Sequence, residues 1–236
     1  VVAVPDERVD KLADLTKSAK KIYTTIEFFD IAGLVKGANK GEGLGNKFLA
    51  NIRETDAIVY VLRAFLKSDI IKTGNEINPL TDKEILETEL ILKDLETVDK
   101  RINGVEGEAR AGKKEAIKEL ETLKKVKDFL EKGKILFEQN FIEDEAEIIS
   151  RYQLLTMKPS LYLLNGKDEE VKPEVINEFK KNNWPYLIVD VATEFEAAGL
   201  TKEERSALGI TQEPELDALI KKAYDILGLL TFFTTG

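Results

Sequence analysis

The spacing of apolar residues divides the chain into short strands and amphipathic helices. Alternating apolar and polar positions predict a strand over residues 21–29. Uninterrupted apolar runs, typical of strands buried on both faces of a parallel sheet, occur at 57–62, 160–164 and 186–189. Helical spacing occurs at 5–17, 46–55, 172–182 and 214–227. This alternation predicts an α/β fold with a doubly wound, mostly parallel sheet.

Residues 81–132 differ from the rest, because half of them are charged and none is proline. Their apolar residues recur at helical spacing in two stripes. The stripes are Ile85, Leu92, Leu95, Ile102 and Ala109, then Ile117, Leu120, Leu123, Val126 and Leu130. Residues 111–114 suit a turn between them, so we expect an antiparallel coiled-coil hairpin that projects as an arm. The alternative is a pair of ordinary helices packed on the sheet.

The amino-acid composition limits the kinds of catalytic and metal site that the chain can form. The 236 residues are 43% hydrophobic, enough for a real core, and include no cysteine and no histidine. Disulfides, thiolate sites and histidine bases are therefore excluded, and any hydrolysis must use carboxylates, backbone amides, lysines or a bound metal. A net charge of −9 argues against general nucleic-acid binding, DNA included, although a local basic patch could contact RNA. No apolar run approaches 18 residues, so a cytoplasmic location is the default expectation.

A candidate metal and phosphate site follows the first predicted strand. Asp30 ends that strand, Gly33 stands three residues on, and five glycines fall between positions 33 and 45. In many nucleotide hydrolases such an aspartate faces Mg²⁺ and the glycine amide donates to the γ-phosphate. The alternative is a flexible surface loop, because a four-residue match arises often by chance.

A second segment imitates a phosphate loop. Residues 107–114 fit G-x-x-x-x-G-K, but no strand precedes them, and Lys114 stands where Mg²⁺ binding needs Ser or Thr. We therefore expect the match to be fortuitous.

The third candidate is a motif that would contact the nucleotide base. Asn165-Gly166-Lys167-Asp168 follows the apolar run 160–164 and resembles the Asn-Lys-x-Asp motif of GTPases, with Gly166 in place of the lysine that covers the base. The Asp carboxylate of that motif accepts hydrogen bonds from guanine. Ala192, within Val191-Ala192-Thr193, stands where a backbone amide commonly contacts the purine. Taken alone, the segment could be a polar turn.

The run Asp30-Ile-Ala-Gly-Leu-Val with residues 41–57 resembles the signature of the YchF/Obg-like ATPase family. Further similar segments, in order, are residues 4–8, 78–80, 87–90, 155–159 and 232–236. The resemblance covers nearly the whole chain and implies a P-loop NTPase-like G domain, a coiled-coil insertion and a C-terminal TGS domain. We therefore expect G-domain parts at 1–80 and 151–236, with the helical insertion at 81–150.

The same resemblance implies slow ATP or GTP hydrolysis with Mg²⁺ and an association with ribosomes as a translation or stress regulator. It places Asp30 at Mg²⁺, Gly33 at the γ-phosphate, and Leu34 where Ras-like GTPases carry a water-positioning glutamine. Relative to the family plan, the chain would start after the phosphate loop and the first switch and end where the TGS domain begins. We therefore expect residues 1–236 alone to bind nucleotide poorly.

Two positions depart from the family pattern. Family members usually end the base motif in Glu, which is associated with adenine tolerance, whereas this chain has Asp168 and leaves the choice between ATP and GTP open. Lys72 stands where bacterial members often carry a histidine proposed to assist hydrolysis. A protonated lysine can stabilise phosphate charge but is a poor base at neutral pH, so we expect slow turnover.

The tip of the predicted arm is locally basic, with Arg110, Lys113, Lys114 and Lys118. Such a tip could contact ribosomal RNA, or it could be an ordinary solvated helix face. The principal alternative to an NTPase is therefore a non-catalytic module that binds a ribosome or protein through its arm.

Overall fold

A computed structural model describes residues 1–31, 51–65, 77–207 and 215–234. The described residues form two compact units. The first comprises 1–30, 59–65, 77–79, 160–207 and 215–234, and the second comprises Ile31, 51–58 and 80–159. We call them the sheet unit and the helical unit. The domain boundaries expected from the sequence stay a prediction.

The sheet unit begins with a small antiparallel ladder and one helix. Strand β1, Val2–Ala3, pairs with β2, Thr25–Ile26, and helix α1, Glu7–Thr16, lies between them in the chain. The prediction of helix 5–17 is therefore confirmed. The strand predicted at 21–29 is wrong in extent. Because Val2 pairs with Ile26, residues beyond Ile26 run past the end of β1 and have no ladder partner within the described part of the chain.

The helical unit is built on two long antiparallel helices. Helix α2 runs from Pro79 to Arg110 and α3 from Lys114 to Glu131. Gly112 adopts a φ of 83° in the turn between them, a conformation that glycine accepts without strain. The predicted hairpin and its turn are thus present.

The buried stripe on α2 is the predicted one only in part. Ile102 is buried in the core and Leu95 and Ala109 pack against it, as predicted, whereas Leu92 is 41% exposed. Adjacent helical residues point about 100° apart, and it is Ile91 rather than Leu92 that is buried in the core. On α3 the stripe is largely as predicted, with Leu123, Val126 and Leu130 buried, but Ile117 is 37% exposed.

A third layer covers the hairpin, which the sequence did not indicate. Helix α4, Glu143–Ser150, packs on α3, and a single-turn 3₁₀ helix at Leu136–Glu138 precedes it. Leu136, Ile149 and Leu154 complete the same hydrophobic core. The core is therefore a three-layered helical cluster rather than a two-helix seam.

The main sheet has three strands, β3 (Ile58–Arg63), β4 (Ser160–Asn165) and β5 (Tyr186–Val189), in the order β3-β4-β5. Strands β4 and β5 are parallel, with Asn165 opposite Val189. All three predicted strands are confirmed, but the predicted burial on both faces is wrong for β3, where Val61 is 61% exposed. Helices α5 (Pro173–Lys181), α6 (Val191–Ala197), α7 (Lys202–Ala207) and α8 (Glu215–Ile226) complete the sheet unit. Four consecutive residues of β4, Leu161 to Leu164, are buried, as a central parallel strand requires.

Candidate nucleotide-base site

The predicted base loop and the predicted purine-contacting segment lie together at one edge of the sheet. Both follow the carboxyl ends of neighbouring parallel strands, the edge at which α/β proteins bind ligands. The Val191 amide donates to the side-chain Oδ1 of Asn165 at 3.3 Å. Asn165 therefore orients the start of α6, so two of the sequence-predicted segments form one local structure.

Gly166 is held by backbone contacts on both sides. Its amide donates to the Val189 carbonyl at 3.1 Å, and the Ala64 amide donates to the Asn165 carbonyl at 2.8 Å. A side chain at Gly166 would place its Cβ 2.9 Å from the Phe65 nitrogen. The residues that follow β3, Ala64 and Phe65, thus form a third wall of the site, which sequence reasoning missed. The one sequence feature that could have indicated this wall was that the chain continues past the apolar run 57–62.

Asp168 begins a 3₁₀ turn, Asp168–Glu170, and its side chain is exposed. The Lys167 amide donates to Glu170 Oε2 at 2.9 Å and fixes the turn from within. An ionised carboxylate only accepts hydrogen bonds, so an exposed Asp168 is suited to a ligand edge that carries N–H donors.

The N-terminus of α6 is capped by Asp190. Its carboxylate accepts from the Thr193 amide at 3.2 Å and from the Thr193 hydroxyl at 2.6 Å. Burial alone would raise the pKa of Asp190, but the hydrogen bonds from Thr193, together with the nearby charge of Lys167, lower that pKa. Ala192 is exposed beside this cap, and its amide also helps to lower the pKa of Asp190. A purine contact through that amide would compete with the cap.

Acidic groups surround this edge of the sheet unit. The Asp190 amide donates to Glu215 Oε2 at 3.1 Å. Burial raises the pKa of Glu215, and the nearby carboxylates of Glu194, Asp168 and Asp190 raise it further. Glu194 is balanced by Arg205, at 3.2 Å. The site therefore favours ligand groups that donate hydrogen bonds over groups that accept them.

The predicted phosphate end is only partly described. Asp30 is exposed, four residues beyond the end of β2. The predicted catalytic residues Gly33, Leu34 and Lys72 lie outside the described residues. Mg²⁺ in nucleotide sites is commonly held by one or two carboxylates, with phosphate oxygens and waters as its other ligands. The single exposed carboxylate of Asp30 fits that donor set, and within the described ranges no cluster of three or more carboxylates could hold a metal by itself.

The fortuitous phosphate-loop match is confirmed as such. Residues 107–110 are the last turn of α2, and 111–113 are the turn that leads into α3. A helix precedes the match where a phosphate loop needs a buried strand.

The predicted basic tip is largely neutralised. Arg110 pairs with Glu106 at 2.7 Å, Lys113 with Glu108 at 3.1 Å, and Lys118 with Asp144 at 3.3 Å. Lys114 has no ion-pair partner within the part of the chain that the structure describes. The described residues also contain no helix long and apolar enough to cross a membrane.

Comparison with known proteins identifies the family of the chain. A profile of the 50S ribosome-binding GTPase family matches residues 6–165. The Ribosome-binding ATPase YchF of Bacillus subtilis is 42% identical over 248 residues, which cover the whole chain and 68% of that protein. The protein of the same name in Escherichia coli O157:H7 is 40% identical over 245 residues, covering the whole chain and 67% of that protein.

The solved structure of the Schizosaccharomyces pombe YchF GTPase matches with a TM-score of 0.84 at 32% identity. The match covers the whole chain and 67% of that structure's chain. The predicted P-loop NTPase-like α/β fold is thereby confirmed.

Proposed function

The chain belongs to the YchF family, and we propose from that membership that it is part of a ribosome-associated protein that binds ATP or GTP and hydrolyses it slowly. One observation carries the nucleotide assignment. The Val191 amide on Asn165 joins the two predicted base-contacting segments at the carboxyl edge of parallel strands. This hydrogen bond brings the polar groups of both segments to one place at the end of the adjacent strands β4 and β5.

In the proposed reaction, water attacks the γ-phosphorus, and the bond between that phosphorus and the oxygen shared with the β-phosphate breaks. The products are the nucleoside diphosphate and inorganic phosphate. Mg²⁺, when bound at Asp30, would supply positive charge to the phosphate oxygens. The Gly33 amide would donate to the γ-phosphate, and a protonated Lys72 would add positive charge there. Leu34 cannot orient water, and the sequence has no histidine, so slow turnover is part of the proposal.

Base choice depends on Asp168. Guanine presents two adjacent N–H donors to a carboxylate, whereas adenine presents one donor beside an acceptor. Asp168 therefore favours guanine more than the longer Glu of the family pattern would. Its exposure and the surrounding acidic groups are consistent with that role.

The test is competition between ATP and GTP on the full-length gene product, with Asp168→Glu beside the wild type. We expect Asp168→Glu to shift the ratio of the two Kd values towards ATP by about tenfold, the equivalent of about 1.4 kcal/mol. Lys180→Ala, an exposed lysine on α5 outside residues 165–168, is the control and should leave the ratio unchanged. An unchanged ratio in Asp168→Glu would remove Asp168 from the base site.

A separate measurement tests the weak binding expected of residues 1–236 alone. Micromolar binding of either nucleotide to these residues would contradict that expectation.

A second candidate function is ribosome binding through the arm, whether or not the protein hydrolyses nucleotide. A cytoplasmic location is part of this proposal. It is supported by the names of the relatives and by Lys114, the one tip cation without a described carboxylate partner. Because three of the four predicted cations are already paired, Lys114 should matter most.

Ribosome co-sedimentation of full-length protein with Lys114→Glu, Lys113→Glu and the double variant tests this assignment. Of the two single variants, we expect Lys114→Glu to lose more ribosome binding than Lys113→Glu. Lys124→Glu, ten residues further along α3, is the control for a general change in charge. Equal losses in Lys114→Glu and Lys124→Glu would replace a specific contact at the tip with a general charge effect.

A further inference from the structure

We infer that packing restricts position 166 of the base site to glycine, so that base selection in this protein proceeds without a side chain that covers the base. The backbone of Ala64 and Phe65 occupies the space that any side chain at 166 would need, so the lysine that GTPases carry there is excluded rather than simply missing. The inference rests on the proposed function in one respect, that residues 165–168 contact a nucleotide base.

The requirement for glycine here comes from space and not from backbone conformation. The described glycines with positive φ are Gly112, Gly133 and Gly228, and Gly166 is not among them. An added Cβ would lie 2.9 Å from the Phe65 nitrogen and 3.0 Å from the Ala64 carbonyl carbon. Real Cβ atoms very rarely approach backbone atoms so closely, so a residue larger than glycine must displace the chain at one side or the other.

Neither side can move without breaking hydrogen bonds. The Gly166 amide is bonded to Val189 of β5, and the preceding carbonyl, that of Asn165, accepts from Ala64 after β3. The third close atom, Glu170 Oε2 at 3.3 Å, ends a flexible side chain but already accepts from the Lys167 amide. The loop is therefore held by backbone between the ends of β3 and β5.

This packing decides which groups can select a base. A lysine that covers a base needs its methylene stem to begin at a Cβ, and position 166 has no room for one. Selection then falls to the polar groups at the base edge, the exposed Asp168 and the Asn165 amide. The Oδ1 of Asn165 already accepts from the Val191 amide, so Asn165 has only its Nδ2 donors left for a base, and Asp168 is the acceptor that can distinguish guanine from adenine.

The experiment compares Gly166→Lys and Gly166→Ala in the full-length gene product. If lysine were simply missing, Gly166→Lys would strengthen GTP relative to ATP. If the space is filled, both variants lower the Tm, the alanine variant by about 3–6 °C and the lysine variant by more. Both variants should also weaken ATP and GTP together, by about tenfold or more, with no shift of the ratio towards GTP.

Gly199→Ala and Gly199→Lys are the matched controls, since a Cβ at Gly199, in the same unit, meets nothing within 4 Å. They should melt within about 1–2 °C of the wild type. A Gly166→Lys variant that keeps the wild-type Tm, or that gains GTP affinity relative to ATP, would overturn the inference.

Failure of the proposed function gives a different result. If the wild type binds neither nucleotide, the base assignment fails, but the Tm and the hydrogen exchange of the Ala64 and Gly166 amides still test the close approach. Both amides should exchange faster in Gly166→Ala and not in Gly199→Ala. Unchanged exchange and an unchanged Tm would refute the packing argument whatever the protein binds.

Discussion

The helical unit and the base loop are stabilised by different means. The helical unit is stabilised by packed side chains, because α2, α3 and α4 surround a core in which Leu123, Val126 and Leu136 are fully buried. In the base loop the backbone contributes more, since Gly166 is fixed by amide and carbonyl groups and Asp168 stays exposed. The side chains that hold the loop are those of Asn165 and Glu170, which accept from backbone amides, so the Asp168 carboxylate is left exposed.

The helical unit also contains a buried polar anchor that has no equivalent in the described base loop. Asp94 on α2 is 1% exposed and accepts from the Leu155 amide at 2.9 Å, the Thr156 amide at 2.8 Å and the Thr156 hydroxyl at 2.7 Å. Burial raises the pKa of Asp94 despite these bonds. The anchor fixes residues 155 and 156 to the hairpin, so it is a stability element.

The largest effect is expected from the helical core. Leu123→Ala should lower the free energy of unfolding by about 4 kcal/mol, because it leaves a cavity in a fully buried site. Ile117→Ala, on the same helix and in the same predicted stripe, should cost less than about 1 kcal/mol because Ile117 is 37% exposed. Denaturant unfolding measures both. Similar losses at the two positions would mean that the stripe predicted from the sequence is the packed one.

The buried anchor ranks next. Asp94→Ala leaves two buried amides and a hydroxyl without their acceptor, and should cost about 3 kcal/mol. Asp94→Asn keeps one acceptor oxygen and should cost less. The control is Asp128→Ala, which removes an exposed pair with Lys132 and should cost under about 0.5 kcal/mol. Thermal or urea unfolding in which Asp94→Ala behaved like Asp128→Ala would rule out the anchor.

A smaller and pH-dependent effect is expected at Glu119. The hydrogen bond from Arg101 at 2.5 Å, with a second from the Tyr152 hydroxyl, lowers the pKa of Glu119 below its ordinary value. A carboxyl group whose pKa is lowered by folding stabilises the fold above its unfolded pKa, near 4.5, and loses that contribution as the pH falls through its folded pKa.

Glu119→Gln should therefore cost about 1 kcal/mol at pH 7, and the difference from wild type should shrink below about pH 4. Glu121→Gln is the control, an exposed carboxylate two residues on with no ion-pair partner in the described ranges. Melting curves across that pH range measure the difference, and a gap that stayed constant would show that Glu119 does not act through its charge.

The smallest stability effect is expected in the base loop. Asp168→Asn should change the free energy of unfolding by less than about 0.5 kcal/mol, because the side chain is exposed and the turn is fixed by Glu170. The same variant should raise the Kd of the full-length protein for GTP relative to wild type. A large loss of stability would show that the loop depends on its own side chain, contrary to the contrast drawn with the helical unit.

Sequence periodicity located the three parallel strands because each is a continuous apolar run with few competing interpretations. The same approach overextended β2, since strand length depends on a pairing partner that local alternation cannot show. It also misplaced part of the α2 stripe, because Ile91 and Leu92 are equally apolar and only packing decides which one turns inward. In the base site, Asn165, Asp168 and Ala192 came from motif spacing, whereas the wall at Ala64 and Phe65 did not.

The sequence by itself determined the strand order along the chain, the helical hairpin, the absence of histidine and cysteine chemistry, and the residues of the base motif. Each of these depends on local periodicity or on residue type, which a linear chain displays. Only the tertiary structure showed why position 166 is glycine, because a backbone about 100 residues earlier in the chain lies against it. It also showed that Lys118 is paired with Asp144, since those charges become partners only once folding brings α4 against α3, whereas the pairs of Arg110 and Lys113 are local in the chain.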